Sequence, residues 1–419
     1  MAERHSRREL LKRGVGGIAA ATASTGVMAT ATASTGLFEE AVVEGGAQEL
    51  TRPVLTPADK FFDVARGNPV PHSLRGEALV KAGLTPETWR LEIVGEGGAH
   101  VSRPLTLQNG SALDLPTLMK MGRAHSVKFL KAIQCLNIEQ PLGQGLWEGV
   151  PLREVLRLVG NVSNVRRIYY WGFHNDDPKQ IFQSSLSLTQ ALETPPWELP
   201  AFLAYRLNGE PLSLERGGPV RMLVPWSHGF KSIKWIQRIV LTNDYRANDT
   251  YADANNDPES YLKTAAYLDS VPDRVRGDQP WTVRGTVISG LSGLQRVEYW
   301  LRRTTGRAPD LAADDPAWET ARWLKCRLDP APTDWSYVFP AEMKSSEVWG
   351  FDSRTGKPTV WPLRYGMTGW TANIGLLPRG MYEIRARAVD LNGFAQPEPR
   401  PDRQTGLNPV QVRRFEVFA

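Results

Sequence analysis

The sequence predicts an α+β protein in two parts: mixed helix and strand over residues 61–280, then a β-sandwich over residues 281–419. Three observations carry this expectation. From residue 61 to about 245, stretches of period-2 alternation are interleaved with stretches of helical period. From residue 281 onward helical period is largely absent, and strand-like runs are separated by Gly, Pro and Asp. The 419 residues are 41% hydrophobic, enough apolar mass for more than one core.

Taken in order, residues 1–33 read as an export signal of the twin-arginine type. Arg7-Arg8 and Leu10-Leu11-Lys12 close a basic segment, an Ala/Gly/Thr-rich stretch follows, and Ala31-Thr32-Ala33 has the small-x-small form of a cleavage site. That stretch is too weakly hydrophobic to span a membrane, and no other run of 18 apolar residues exists. A soluble periplasmic product is therefore expected. Residues 34–60 are small, acidic and Pro-containing, and are expected to be a flexible lead-in. Residues 89–94 alternate like a strand and end at Gly95-Glu96-Gly97-Gly98; residues 117–121 suit a short helix; residues 127–134 read as a buried strand. Residues 152–159 have helical spacing and stop at Gly160, after which residues 220–225 and 239–241 are strands. Residues 246–280 are polar and turn-rich, the expected linker. In the second part, residues 281–288, 297–301, 382–389 and 410–418 are the expected strands.

Charge narrows the partners. The net charge of +5 owes five basic and two acidic groups to the first 33 residues, leaving +2 for the remainder. Such a balance lacks the clustered basic charge that nucleic acid requires, and that class of partner is excluded. Only Cys135 and Cys326 are present, with no C-x-x-C-H motif for covalent haem and no four-ligand Cys/His zinc pattern. In an oxidising compartment the two could form an interdomain disulfide. Cys135 ends an apolar run, Lys131-Ala132-Ile133-Gln134-Cys135. A thiol at a strand end can be a buried structural residue, a nucleophile or a soft metal ligand. A Cys/His hydrolase using His125, His174 or His228 is one reading, though no nucleophile elbow or base-orienting context accompanies them.

The surrounding motifs favour the metal-ligand reading. Gln134-Cys135 is followed by Trp147-Glu148-Gly149-Val150-Pro151-Leu152, and preceded by Phe61-Phe62 with Arg66, Asn68 and Pro69-Val70-Pro71. Phe202-Leu203-Ala204-Tyr205-Arg206-Leu207-Asn208-Gly209 comes next, then Gly218-Pro219-Val220-Arg221, Val224-Pro225, Gly229 and Lys234-Trp235, and finally Gly380-Met381-Tyr382-Glu383-Ile384-Arg385. This ordered set resembles the sulfite oxidase family of molybdenum enzymes over roughly residues 55–419. The resemblance implies a molybdopterin-binding domain of the sulfite oxidase type over 61–280 and an immunoglobulin-like sandwich over 281–419 that mediates homodimerisation.

It further implies a molybdenum–molybdopterin cofactor ligated by Cys135, with Trp147 lining the substrate pocket. Arg66, Asn68, Arg216, Arg221, Lys231 and Lys234 match positions that would contact the pterin and its phosphate, a dianion that needs a basic, donor-rich cradle. Tyr251 is the candidate for the family's active-site tyrosine, with Tyr261 nearby. The implied reaction is two-electron oxygen-atom transfer on a small molecule, sulfite by default, with electrons passing to an external acceptor such as a c-type cytochrome. Two departures stand out. Arginine a few residues after the cysteine is replaced by Leu136 and Glu139, which disfavours an anion. A family histidine appears as Arg216. A different substrate, or an inactive scaffold, is the alternative implied by these changes.

Overall fold

Two five-stranded sheets build the first part of the molecule, and the path of each follows from its buried face. The structure, a computed structural model, describes residues 52–65, 67–136, 138–173, 177–250, 259–306, 309–312, 315–397 and 408–419. The expected signal (1–33), most of the lead-in, Arg66 and Tyr251 lie outside the described residues. The described residues form one compact unit.

The first sheet places Arg90–Glu96 between Leu113–Asp114 and Ile236–Thr242, followed by Arg167–Gly172 and Gln183–Ser187. Arg90–Glu96 and Ile236–Thr242 run parallel, with Ile93 opposite Ile239, while the other pairings are antiparallel. The second sheet runs Glu210–Pro211, Phe202–Leu207, Gly143–Pro151, Val127–Ile133, with Arg221–Leu223 also on Phe202–Leu207. Leu91, Ile93, Ile168, Tyr170 and Ile239 of the first sheet pack with Val150, Leu203 and Met222 of the second in one core. Burying this surface is the main driving force for the pairing. Leu115–His125 closes the core with Leu118; its N-cap Asp114 accepts from the Thr117 amide at 2.9 Å. The helix is thus longer than the sequence suggests, because the cap lies two residues before Pro116, a residue tolerated in a first turn.

The second part is a two-sheet sandwich. One sheet orders Ala265–Leu268, Trp281–Ile288, Met367–Gly375 and Arg327–Leu328; the other orders Arg274–Arg276, Gln411–Phe418, Gly380–Val389, Arg296–Thr304 and Leu324–Lys325. Val283, Val287, Val297, Ile384, Ala386, Phe415 and Val417 face inward between them. Two sequence expectations need correction here. Residues 265–268 and 274–276, expected to be linker, are strands of these sheets, since the Ala265-Ala266 pair and Leu268 are buried against Trp281–Ile288 and its neighbours. Residues 52–60, expected to be flexible, are pinned: the Thr56 amide donates to Gln144 O at 2.7 Å and Asn208 Nδ2 to Thr56 O at 3.0 Å.

The two parts share an edge. Val127–Ile133 is the border strand of the second sheet, and its outer side is satisfied by the sandwich half of the chain. The Ala132 amide donates to Tyr365 O at 2.9 Å, and the Trp349 amide donates to Lys128 O at 2.8 Å. Leu130 and Leu146 are buried beside Trp335, Phe339, Val348 and Leu363. No helix among the described residues is long and apolar enough to cross a membrane.

Candidate functional site

Alternation along Val127–Ile133 puts Phe129, Lys131 and Ile133 on one sheet face, opposite Trp147, Gly145 and Gly143 of the next strand. This is the face turned away from the central core. Ile133, Trp147, Phe202, Leu207 and Leu223 line it with Phe61, and Cys135 packs against them where the strand ends. The cysteine's approach is fixed by two backbone hydrogen bonds and one from a side chain. The Gly229 amide donates to Gln134 O at 2.7 Å, the Leu142 amide to Ile133 O at 2.8 Å, and Gln134 Nε2 to Cys135 O at 2.9 Å. Cys326, in contrast, packs against the sandwich core, where burial and Glu298 push its thiol up to about 12.

Beside Cys135 the sheet face carries a concentration of buried positive charge. Arg221 lies over the Trp147 ring at 5.2 Å and donates to Arg216 O at 2.8 Å and Ser232 O at 2.7 Å. Burial, reinforced by Arg216, lowers its guanidinium to about 9. Arg216 lies over the Phe61 ring at 5.7 Å and 3.8 Å from Asp63. Lys234 donates to Asp63 Oδ1 at 2.9 Å, and burial together with Arg221 lowers its ammonium to about 8. Gly217, at φ 95°, leaves the space that the Lys234 side chain fills; a Cβ there would sit 2.7 Å from Lys234 Cγ. The Nε atoms of Arg216 and Arg221 are buried without a hydrogen-bond partner among the described residues. Buried charged donors left in that state are costly unless an anion completes them.

The sequence-predicted residues therefore divide. Cys135, Trp147, Arg216, Arg221 and Lys234 come together on one face. Trp147 is fully buried, its Nε1 donating to Lys131 O at 3.2 Å. Lys231 goes elsewhere: its ammonium is 2.9 Å from Asp249 and donates to Ser185 O at 2.6 Å, inside a network completed by Ser184, Ser185 and Tyr170. Burial lowers its pKa even with Asp249 beside it. Asn68 is exposed, with its backbone amide donating to Gln180 Oε1 at 2.7 Å. Tyr261 forms an antiparallel bridge with Ser227, two residues before Gly229. His125 is exposed on the last turn of its helix.

Two residues of this face escaped the sequence reading. Asp63 is the carboxylate that meets Lys234 and Arg216. Lys131 is 1% exposed and donates to Pro225 O at 2.8 Å, and among the described residues no carboxylate pairs with it. Burial, reinforced by Arg221, lowers its ammonium to about 7. Its signal was present in the sequence: a lysine on the apolar parity of a buried strand.

These residues fit a molybdopterin-type cofactor. A soft sulfur donor lies on the same face as the buried Arg216 and Arg221, each with an unpartnered Nε among the described residues, and the half-buried Lys234, and this donor set suits an anionic, phosphate-bearing group. Among the described residues no group of three or more His, Cys, Asp or Glu side chains could hold a metal by itself. A metal here would depend on Cys135 and on the cofactor's own ligands.

Comparison with known proteins points the same way. Residues 78–250 match the family model of the oxidoreductase molybdopterin binding domain. The chain is 30% identical to mitochondrial sulfite oxidase of Drosophila melanogaster over 167 residues, covering 38% of this chain and 28% of that protein. It is 27% identical to the Homo sapiens mitochondrial sulfite oxidase over 197 residues, 45% of this chain and 33% of that one. It is also 33% identical over 102 residues to inducible nitrate reductase [NADH] 1 of Glycine max, 23% of this chain and 11% of that protein. The aligned parts thus span no more than a third of these relatives. In structure, the sulfane dehydrogenase SoxCD of Paracoccus pantotrophus superimposes with a TM-score of 0.54 at 17% identity, over 84% of this chain and 86% of that one, a likeness of fold.

Proposed function

Because this chain belongs to the sulfite oxidase family of molybdopterin-dependent oxidoreductases, we propose that it is an exported enzyme performing two-electron oxygen-atom transfer at a molybdenum centre held by Cys135. The observation that carries the reading is the thiol at the end of Val127–Ile133, on the same sheet face as the buried Arg216 and Arg221 and the half-buried Lys234. When bound, molybdenum–molybdopterin would supply a redox-active metal with positions open for oxygen exchange. Cys135 would serve as its protein ligand in the thiolate form. Arg216 and Lys234 would hold the pterin phosphate, with Arg221 adding charge from beneath and fixing the Trp147 plane. Phe61 and Trp147, meeting edge to face at 6.1 Å, would keep water from that surface. Lys231 has a different task in this reading, tying Asp249 to the floor of the first sheet.

Sulfite is the expected substrate. Leu136 and Glu139 in place of arginine favour a second reading, a substrate that carries less negative charge. Export through residues 1–33 to the periplasm, homodimerisation through residues 281–419 and electron delivery to a c-type cytochrome complete the proposal. The test is molybdenum by elemental analysis on protein exported through its own leader, beside Cys135→Ser. About one molybdenum per chain, lost in the variant, is the expected result. No metal in the folded, exported protein would refute the oxidoreductase reading, and metal without turnover would mark an inactive scaffold.

A further inference from the structure

Asp63 is set among basic side chains. Its Oδ1 accepts from Lys234 Nζ at 2.9 Å and lies 3.8 Å from Arg216 Nη2, and its Oδ2 lies 3.8 Å from His72 Nε2. The carboxylate is held there by its neighbours: Arg216 Nη1 donates to Phe61 O at 3.4 Å, and the Phe62 amide donates to Leu142 O at 2.8 Å. Around it the charge does not balance. Arg216, Arg221 and Lys234 bring three cations, and among the described residues Arg221 has only backbone carbonyls as acceptors. The further carboxylate near Arg216 is Glu215, at 3.7 Å and 56% exposed, where solvent screens it. Two cationic donors remain buried without partners among the described residues: Arg216 Nε and Arg221 Nε. One carboxylate, with two oxygens and one charge, leaves this cradle short of acceptors. A phosphate dianion, with three oxygens, would supply them.

We propose that Asp63 is a resident counter-anion of a phosphate-binding cradle formed by Arg216, Lys234, Arg221 and His72, and that its carboxylate must swing out of the cradle when a phosphate group binds. The proposal rests on the reading of Arg216, Arg221 and Lys234 as the cradle. Asp63 is the partner with room to move, its side chain 37% exposed against 6% for Arg216 and 15% for Lys234. In the ligand-free protein it moderates repulsion between the cations. Against a ligand it competes, so that a monoanion gains little and a dianion prevails. The carboxylate therefore acts as a charge filter on what the cradle accepts.

The experiment is calorimetric titration of the cofactor-free full chain with inorganic phosphate at pH 7.5, comparing wild type, Asp63→Asn, Lys234→Met and the double variant. Asp63→Asn keeps the shape and removes the competing charge, and is expected to bind phosphate about tenfold more tightly than wild type. Lys234→Met is expected to bind more weakly, and the double variant to fall back toward wild type. Thermal melts confirm that each variant is folded, with Asp63→Ser as the replacement should Asp63→Asn unfold. Equal or weaker binding by Asp63→Asn overturns the proposal, because Asp63 would then only orient Lys234. Absence of phosphate binding in every variant overturns it as well. The metal test is independent: tighter phosphate binding in a chain that never acquires molybdenum leaves the cradle standing and removes the oxidoreductase reading.

Discussion

Lys131 shows how one residue can couple a site to stability. Its ammonium is buried four positions before Cys135, with a neutral carbonyl for acceptor and Arg221 as the nearby charge. Burial lowers its pKa from the usual lysine value to about 7. Between about 7 and 10.5 the unfolded chain therefore binds a proton that the folded chain does not, and stability rises with pH across that window. Below 7 the cost of the buried charge is felt in full. Lys234, lowered to about 8, and Arg221, lowered to about 9, act in the same direction. Lys131→Met removes the charge while keeping the stem. The ligand-free variant is expected to be more stable than wild type by about 1–3 kcal/mol at pH 6, with a shallower rise toward pH 9. Urea unfolding at a series of pH values measures both quantities. A variant less stable than wild type at pH 6 would mean that an unseen negative charge compensates Lys131.

Among the elements, Gly143–Pro151 is the one on which the site is hung. It pairs with the cysteine strand on one side and with Phe202–Leu207 on the other, and its register shifts between Glu148 and Gly149. Alternation along Gly143–Pro151 turns Trp147 to the site and Val150 to the central core, and the shift, which inserts Tyr205 as an extra residue on the partner strand, brings Leu207 to the same face as Ala204. Gly149 is required for it, because a Cβ there would press into the Leu203 carbonyl and lie 2.7 Å from Ala204 Cα. Gly149→Ala is expected to cost about 3 kcal/mol, since backbone on both sides would have to part. Its urea midpoint should fall at an unchanged m-value if the fold is kept. At the nearby helix, Asp114 caps the first turn, and its hydrogen bonds to Thr117 hold its carboxyl below the usual range.

At the scale of the whole molecule, the sandwich half completes the site half. The border strand Val127–Ile133 has its backbone groups met by Trp349 and Tyr365, and Leu130 and Leu146 are covered by Trp335, Phe339 and Leu363. A fragment of residues 52–261 would expose this edge and those side chains together. It is expected to aggregate when expressed alone, whereas the chain from 52 to 419 stays soluble. Size-exclusion chromatography of the two, side by side, decides the matter. A monomeric fragment with a cooperative melt would show that the first part folds without the second.

Periodicity made much of this legible without coordinates. The 281–288 run became Trp281–Ile288, and the apolar run before Cys135 became the strand that carries it, because alternation and β-branched residues act over a few neighbours. The strands at Ala265–Leu268 and Arg274–Arg276 were hidden, being short and set among turn residues; only the sheets they join make them extended. At the site, the order of motifs identified Cys135, Trp147, Arg216, Arg221 and Lys234 as a group. It also grouped Lys231 with them, although Lys231 and Lys234 are only three residues apart and their ammonium groups meet different carboxylates. What the sequence alone determined, then, was the fold class and the supply of positive charge, which follow from local pattern, and the cysteine, which the ordered motifs of the family resemblance singled out. Tertiary structure decided which carboxylate each cation meets: Asp249 for Lys231, Asp63 for Lys234, none for Lys131 among the described residues. Charge pairing depends on distances of a few ångströms between residues far apart in the chain, and spacing along a sequence does not encode those distances.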